Sequence, residues 1–186
     1  MRIIVGISGA SGVVMGCSLL KALREVGVET HLVVSEAAAR TFLCETSLRL
    51  EDVKALADVS YDSRDMAAAI ASGSFASDGM AVVPCSMKTL AGIVCGYADN
   101  LLLRAADVCL KEGRRLVLVP RETPLSRVHL RNLLSAAELG CAIVPPMLTF
   151  YGGADTVEKQ IDHIVGKIFS QFGLSYKKGT SWNGAR

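Results

Sequence analysis

An apolar run closes at Pro84, and a thiol, two hydroxyls and an ammonium follow directly: Cys85, Ser86, Lys88 and Thr89. Hydroxyls and a lysine with no acid among them suit an anion. A helix starting there adds its own N-terminal N–H groups. A helix cap uses one such group, not three. Cys85 has two readings. It is a nucleophile whose pKa the helix end lowers, or a buried thiol, the commoner fate of a cysteine. No histidine lies near it in sequence.

A second candidate is Gly-Ile-Ser-Gly-Ala-Ser-Gly, residues 6–12. Its glycines allow a tight turn and close backbone approach to a ligand. The N–H groups of the helix start, with the Ser11 hydroxyl, suit a phosphate. It is neither a Walker loop nor a clean G-x-G-x-x-G, and a tight turn without a ligand is the competing reading. Ser35 is either a helix cap or part of the same site. Arg121 and Glu122 are either a surface ion pair or a guanidinium clamp beside a proton-shuttling carboxylate. Glu122 is taken as the only carboxylate closely following a strand at this end. Tyr151 and Lys167 offer two more phosphate donors. His31, His129 and His163 share no spacing, so core or surface roles are expected and no Ser-His-Asp set is found.

The elements that must position these groups alternate in type. Strands are expected at residues 2–8, 30–35, 80–84, 115–120 and 141–146, each a short apolar or β-branched run. Helical patterns fill 13–26, the segment opening at Glu36, short pieces at 51–57 and 64–72, then 87–96, 101–112, 124–140 and 157–173. This alternation predicts a three-layer α/β fold, flavodoxin-like or Rossmann-like, with a mostly parallel sheet. Ligands in such sheets sit beyond the carboxyl ends of the strands, which is where the candidates above fall.

The 186 residues, 51% of them hydrophobic, suit one domain. Residues 1–174 are read as that domain and 175–186 as a polar, loosely ordered tail in which Trp182 docks on a neighbour. The run at 101–110 is apolar nearly all round, as in a helix buried on several sides, and points to large subunit interfaces. The net charge of +2 and the lack of a basic run before the tail argue against nucleic acid. No run is long enough for a membrane span. Six scattered cysteines, without Cys-x-x-Cys or a histidine at ligand spacing, indicate reduced thiols and no metal site. The chain opens directly on a strand, so no leader is expected and the location is read as cytoplasmic.

Taken together, GISGASG, VVSEAA, PCSMKTLAGI, YADNLLLRAADVCLKEGRRLVLVPRETPL, His129-x-x-Asn132 and PPMLTFY resemble the UbiX/Pad family of flavin prenyltransferases. Its members were formerly called aromatic acid decarboxylases. They lie within the homo-oligomeric flavin-containing cysteine decarboxylase group. The resemblance runs from Met1 to about Gly173. It implies a dodecamer with sites where subunits meet. It implies FMN held by Gly9, Ala10, Ser11, Ser35, Ser86, Met87, Lys88, Thr89 and Arg121. It places the phosphate of dimethylallyl phosphate near Arg121, Tyr151, Lys167 and Lys111, the last from a neighbouring subunit. Ser11, Glu45 and Glu122 are the implied catalytic set. The implied reaction is metal-independent. It joins the dimethylallyl group to N5 and C6 of reduced FMN, giving prenylated FMN for a UbiD-type decarboxylase. The flavin supplies the nucleophile, so Cys85 is not needed.

The chain departs from the family pattern in two places. Gly152, Gly153 and Ala154 stand where a proline often follows the Phe-Tyr pair, which loosens the loop carrying Tyr151. Lys167 replaces a frequent arginine, a point charge in place of a fork. Two other functions fit the same resemblance: an FMN-dependent decarboxylase acting directly on its substrate, and a non-catalytic flavin carrier.

Overall fold

The computed structural model describes residues 1–179; the expectation for Trp182 lies outside the described residues. In chain order the elements are β1 (Arg2–Ile7), α1 (Val14–Glu25), β2 (Glu29–Val34), α2 (Glu36–Glu45), α3 (Leu50–Lys54), β3 (Val59–Tyr61), a 3-10 turn (Ala69–Ala71), β4 (Gly79–Cys85), α4 (Met87–Cys95), α5 (Leu101–Lys111), β5 (Arg115–Pro120), α6 (Arg127–Glu138), β6 (Ala142–Ile143) and α7 (Val157–Gln171). All strand pairs are parallel, in the order β3-β2-β1-β4-β5-β6. That is the Rossmann order. Without the short edge strand β3 it becomes the flavodoxin order, so both halves of the expectation describe this sheet.

The strands read as continuous apolar runs because both faces are covered. Alternate side chains serve opposite layers. Ile3, Val5 and Ile7 of β1 pack with Leu19, Leu20, Phe42, Ile168 and Phe169 on the side of α1, α2 and α7. Ile4, with Met80, Val82 and Cys85 of β4, packs with Leu90, Leu102 and Ala106 on the side of α4 and α5. Burying any of these leucines or isoleucines contributes roughly 1.5–3 kcal/mol. The end of α4 falls at Gly96, whose left-handed φ of 65° a residue with Cβ adopts only at a cost.

Five expectations change. The edge strand β3 was not expected, because three residues, Val-Ser-Tyr, are too short a run to signal a strand and two of them stay exposed. The helix expected at 64–72 shrinks to one 3-10 turn over Ala69–Ala71. The last strand is only Ala142–Ile143, since Pro145 and Pro146 cannot donate to a ladder. The apolar helix α5 is buried by its own chain, with Leu101, Leu102, Leu103, Ala105 and Ala106 all inside. The exposed apolar side chains lie elsewhere: Val128, Leu130 and Leu134 on α6, and Met147, Leu148 and Phe150 after β6. The described part of the tail is docked, not loose. Tyr176 packs against Phe169, the rings tilted by 48° with centroids 5.0 Å apart, and its hydroxyl donates to Asp162 at 2.5 Å. No helix among the described residues is long and apolar enough to cross a membrane.

Candidate active site

The strand order reverses between β1 and β4, and a cleft opens above their carboxyl ends, as expected at such a switch point. Ser8 joins the two strand ends. It is buried; its hydroxyl donates to the Pro84 carbonyl at 2.9 Å and accepts from the Ser86 N–H at 2.8 Å. Two helices start at the cleft. Ser35 caps α2 by accepting from the Ala38 N–H at 3.1 Å. Ser86 caps α4 by accepting from the Thr89 N–H at 3.2 Å, and its hydroxyl donates to Thr89 Oγ1 at 3.0 Å. Both serines are therefore caps, and both also line the cleft with Gly9 and Lys88. Two helix N-termini aimed at one space of about 360 Å³ favour an anion there. Gly9 needs its bare backbone, because a Cβ would lie 2.4 Å from the Ala37 Cβ. The donors, the close-approach loop and the cationic rim fit a flavin mononucleotide with its phosphate at the two caps.

On the other side of the Gly9-to-Gly12 turn lies a second, mostly apolar cavity of about 570 Å³, lined by Ser11, Met15, Arg121, Phe150 and Ile164 among others. Here one expectation needs correcting. The helix start was to offer free N–H groups, yet the Gly12 N–H donates to Glu45 at 2.8 Å. This also settles where Glu45 belongs: at the end of α2, over the glycine turn. Partial burial pushes its carboxyl up, but the Ser11 hydroxyl, the Gly12 and Val13 N–H groups and the Arg121 guanidinium outweigh that. The net pKa lies below the usual carboxylate value.

Arg121 is fixed through its N–H, which donates to the Cys85 carbonyl at 3.1 Å. It lines both the apolar cavity and a neighbouring pocket of about 250 Å³ shared with Glu122 and Met87. No Arg121–Glu122 ion pair is found among the described residues; Glu122 Oε1 instead accepts from the Thr123 N–H at 2.9 Å. Glu122 is not the only carboxylate after a strand. Glu36 and Asp62 follow β2 and β3, both within ion-pair reach of Arg64 at 3.9 and 3.2 Å. Lys88 also has an acidic neighbour, Asp99 at 3.7 Å, brought in from the turn before α5.

Tyr151 stands edge-on to His163, ring centroids 5.9 Å apart. His163 is buried on α7 one turn before Lys167. Burial, helped by the Lys167 charge, lowers its pKa and favours the neutral ring. The structure thus brings Ser11 and Arg121 onto one cavity, with Glu45 on the glycine turn beside Ser11, Tyr151 on the loop before α7 and Lys167 on that helix. Lys111 is not with them. It ends α5 at the amino-terminal end of the sheet, paired with Glu112. The Cys85 thiol is buried, and that burial pushes its pKa far above the normal range. It has no base to activate it and serves as packing. The remaining histidines are structural: His31 bridges Tyr61 and Glu29, each at 2.9 Å, and His129 completes the cap of α6 with Ser126.

Sequence reasoning missed Arg40, Ser63 and Arg64, all lining the cleft. Ser63 and Arg64 follow the unexpected strand β3, so the strand-end rule would have found them had that strand been read. Arg40 lies one turn inside α2, where only the helix direction places it. Among the described residues no group of three or more His, Cys, Asp or Glu could hold a metal ion.

The model of the flavoprotein family matches residues 1–173. A probable UbiX-like flavin prenyltransferase of Sedimentibacter hydroxybenzoicus is 58% identical over 187 aligned positions, covering 100% of this chain and 99% of that protein. The crystal structure of a dodecameric FMN-dependent UbiX-like decarboxylase from Escherichia coli O157:H7 is 55% identical, with a TM-score of 0.97, covering 99% of this chain and 100% of that one. AnUbiX, solved in complex with FMN and dimethylallyl pyrophosphate, is 50% identical with a TM-score of 0.97, covering 100% and 98%. With the family model matching nearly the whole chain and relatives of this identity over its full length, the chain belongs to the flavoprotein family, among the UbiX-like flavin prenyltransferases.

Proposed function

We propose that this chain transfers a dimethylallyl group from dimethylallyl phosphate to N5 and C6 of reduced FMN and passes prenylated FMN to a UbiD-type decarboxylase. The observation that carries this reading is the pair of cavities on the two sides of one glycine turn. One is polar and capped by helix N-termini; the other is apolar and walled by Arg121. A flavin carrier needs only the first.

Gly9, Ala10, Ser11, Ser35, Ser86, Met87, Lys88, Thr89 and Arg121 would hold the FMN. When bound, reduced FMN supplies the electron-rich centres that accept the allyl group. Arg121, Tyr151 and Lys167, with Lys111 from a second copy, stabilise the negative charge that grows on the phosphate as its C–O bond breaks. They do so without a metal. The apolar cavity excludes water from the allylic carbon while positive charge develops on it. Glu122 has one oxygen taken by the Thr123 N–H, which leaves the other to accept a proton. Ser11 and Glu45 share hydrogen bonds at the cavity rim and orient the departing phosphate. Residues 1–174 act as a single FMN-binding domain, in the cytoplasm, in an assembly of twelve copies.

Glu122→Gln tests the reading. It should bind FMN as the wild type does, yet form the product about 10²–10⁴-fold more slowly, the usual worth of a proton-transfer group. Undiminished delivery of flavin by the variant would favour a carrier. Release of CO₂ from an aromatic acid by the isolated protein would favour a direct decarboxylase.

A further inference from the structure

Residues 150–154, Phe-Tyr-Gly-Gly-Ala, carry Tyr151 on a backbone that two adjacent glycines make costly to order. The structure shows what compensates. Gln160, half-buried in the first turns of α7, closes both ends of this tip. Its side-chain oxygen accepts from the Thr149 N–H at 2.9 Å and from the Thr149 hydroxyl at 3.5 Å. Its amide nitrogen donates to the Thr149 carbonyl at 2.9 Å and to the Ala154 carbonyl at 2.7 Å. Thr149 precedes the tip and Ala154 is its last residue. One side chain therefore uses both its donors and its acceptor on the loop backbone.

Three residues of α7 then act on one neighbourhood. Gln160 fixes the loop ends, His163 supports the Tyr151 ring from a buried position, and Lys167 stands one turn further on. The spacing of three and four residues sets them along one helical face. We propose that Gln160 is a positioning residue: it acts through Tyr151, setting the phenol hydroxyl for the prenyl phosphate. The inference rests on the reading of Tyr151 as a phosphate donor. It replaces the rigidity that a proline would bring to the loop with a side-chain clamp from the helix beneath.

The test is a double-mutant cycle on the full-length protein, joining Gln160→Leu to Tyr151→Phe. Gln160→Leu should raise KM for dimethylallyl phosphate about tenfold, a coupling of the size seen for residues in one network. FMN affinity should stay within about twofold of wild type. In the Tyr151→Phe background the same change should have almost no further effect. An equal effect in both backgrounds, or none in either, overturns the proposal. Amide exchange reads the clamp without turnover: residues 147–156 should exchange at least about tenfold faster in Gln160→Leu, with the rest of α7 unchanged. Unaltered exchange there also overturns it. If the wild type forms no adduct, the functional reading fails, and the exchange result still decides whether Gln160 orders the loop.

Discussion

Glu45 accepts the Gly12 N–H and answers to the Ser11 hydroxyl and the Arg121 guanidinium. Its folded pKa therefore lies below its unfolded value of about 4.5. A carboxyl shifted in this sense adds stability that is fully present above the unfolded value and is lost as pH falls through the folded one. Glu45→Gln should be less stable than wild type at neutral pH, by under about 1 kcal/mol for so exposed a group. The difference should shrink as pH falls below the unfolded value and vanish once the folded carboxyl is protonated, as read by denaturant unfolding across pH. A difference that persists in acid would contradict the account. The thiols give a second check. Cys44 and Cys95 are exposed and Cys17, Cys85, Cys109 and Cys141 are buried. A thiol reagent should modify the first two in the folded protein, and Cys85→Ala should keep product formation within a few-fold of wild type, since packing explains that thiol. At this scale the sequence showed which residue types cluster after the strands. It did not show that Glu45 would occupy the glycine turn, because that contact joins positions 33 residues apart.

At the scale of elements, the helix caps separate fold from function. Ser86 caps α4 at the cleft, whereas Ser126 caps α6 away from it. Replacing either with alanine should cost about 1 kcal/mol of stability. Only Ser86→Ala should also weaken FMN binding, measured by titrating the flavin fluorescence. Equal loss of FMN affinity in both variants would show that the cap, not the cleft, was being read. The strong elements were visible in the chain because strands buried on both faces read as apolar runs. The short ones were hidden for physical reasons. β3 is an edge strand with exposed positions, its pairing to β2 set by tertiary contact. With it went Ser63 and Arg64, which follow its carboxyl end. The Tyr151 loop was read as loosened by its glycines. Gln160, on the next helix, carries no local signal that it reaches back to Thr149 and Ala154.

At the scale of the whole molecule, one chain does not bring all the expected groups together. Lys111 sits at the amino-terminal end of the sheet, far from Arg121 along it, so the role proposed for it at the phosphate requires a second copy. The exposed side chains of Val128, Leu130 and Leu134 on α6, and of Leu148 and Phe150 beyond β6, are the apolar surface that the proposed assembly would bury. Leu134→Glu should lower the mass found by analytical ultracentrifugation and abolish product formation together. Full activity from a dissociated chain would remove Lys111 from the site. The alternating pattern predicted the layers, but subunit contacts leave only exposed apolar residues as a trace, and α5 imitated that trace while being buried at home. The central claim is that one glycine turn separates a flavin cleft from a prenyl phosphate cavity and that chemistry crosses between them. Anaerobic incubation of the protein with reduced FMN and dimethylallyl phosphate, followed by mass spectrometry of the released flavin, tests it most directly. The account predicts a flavin heavier by one C5 unit; unaltered FMN from a folded, flavin-loaded protein would contradict it.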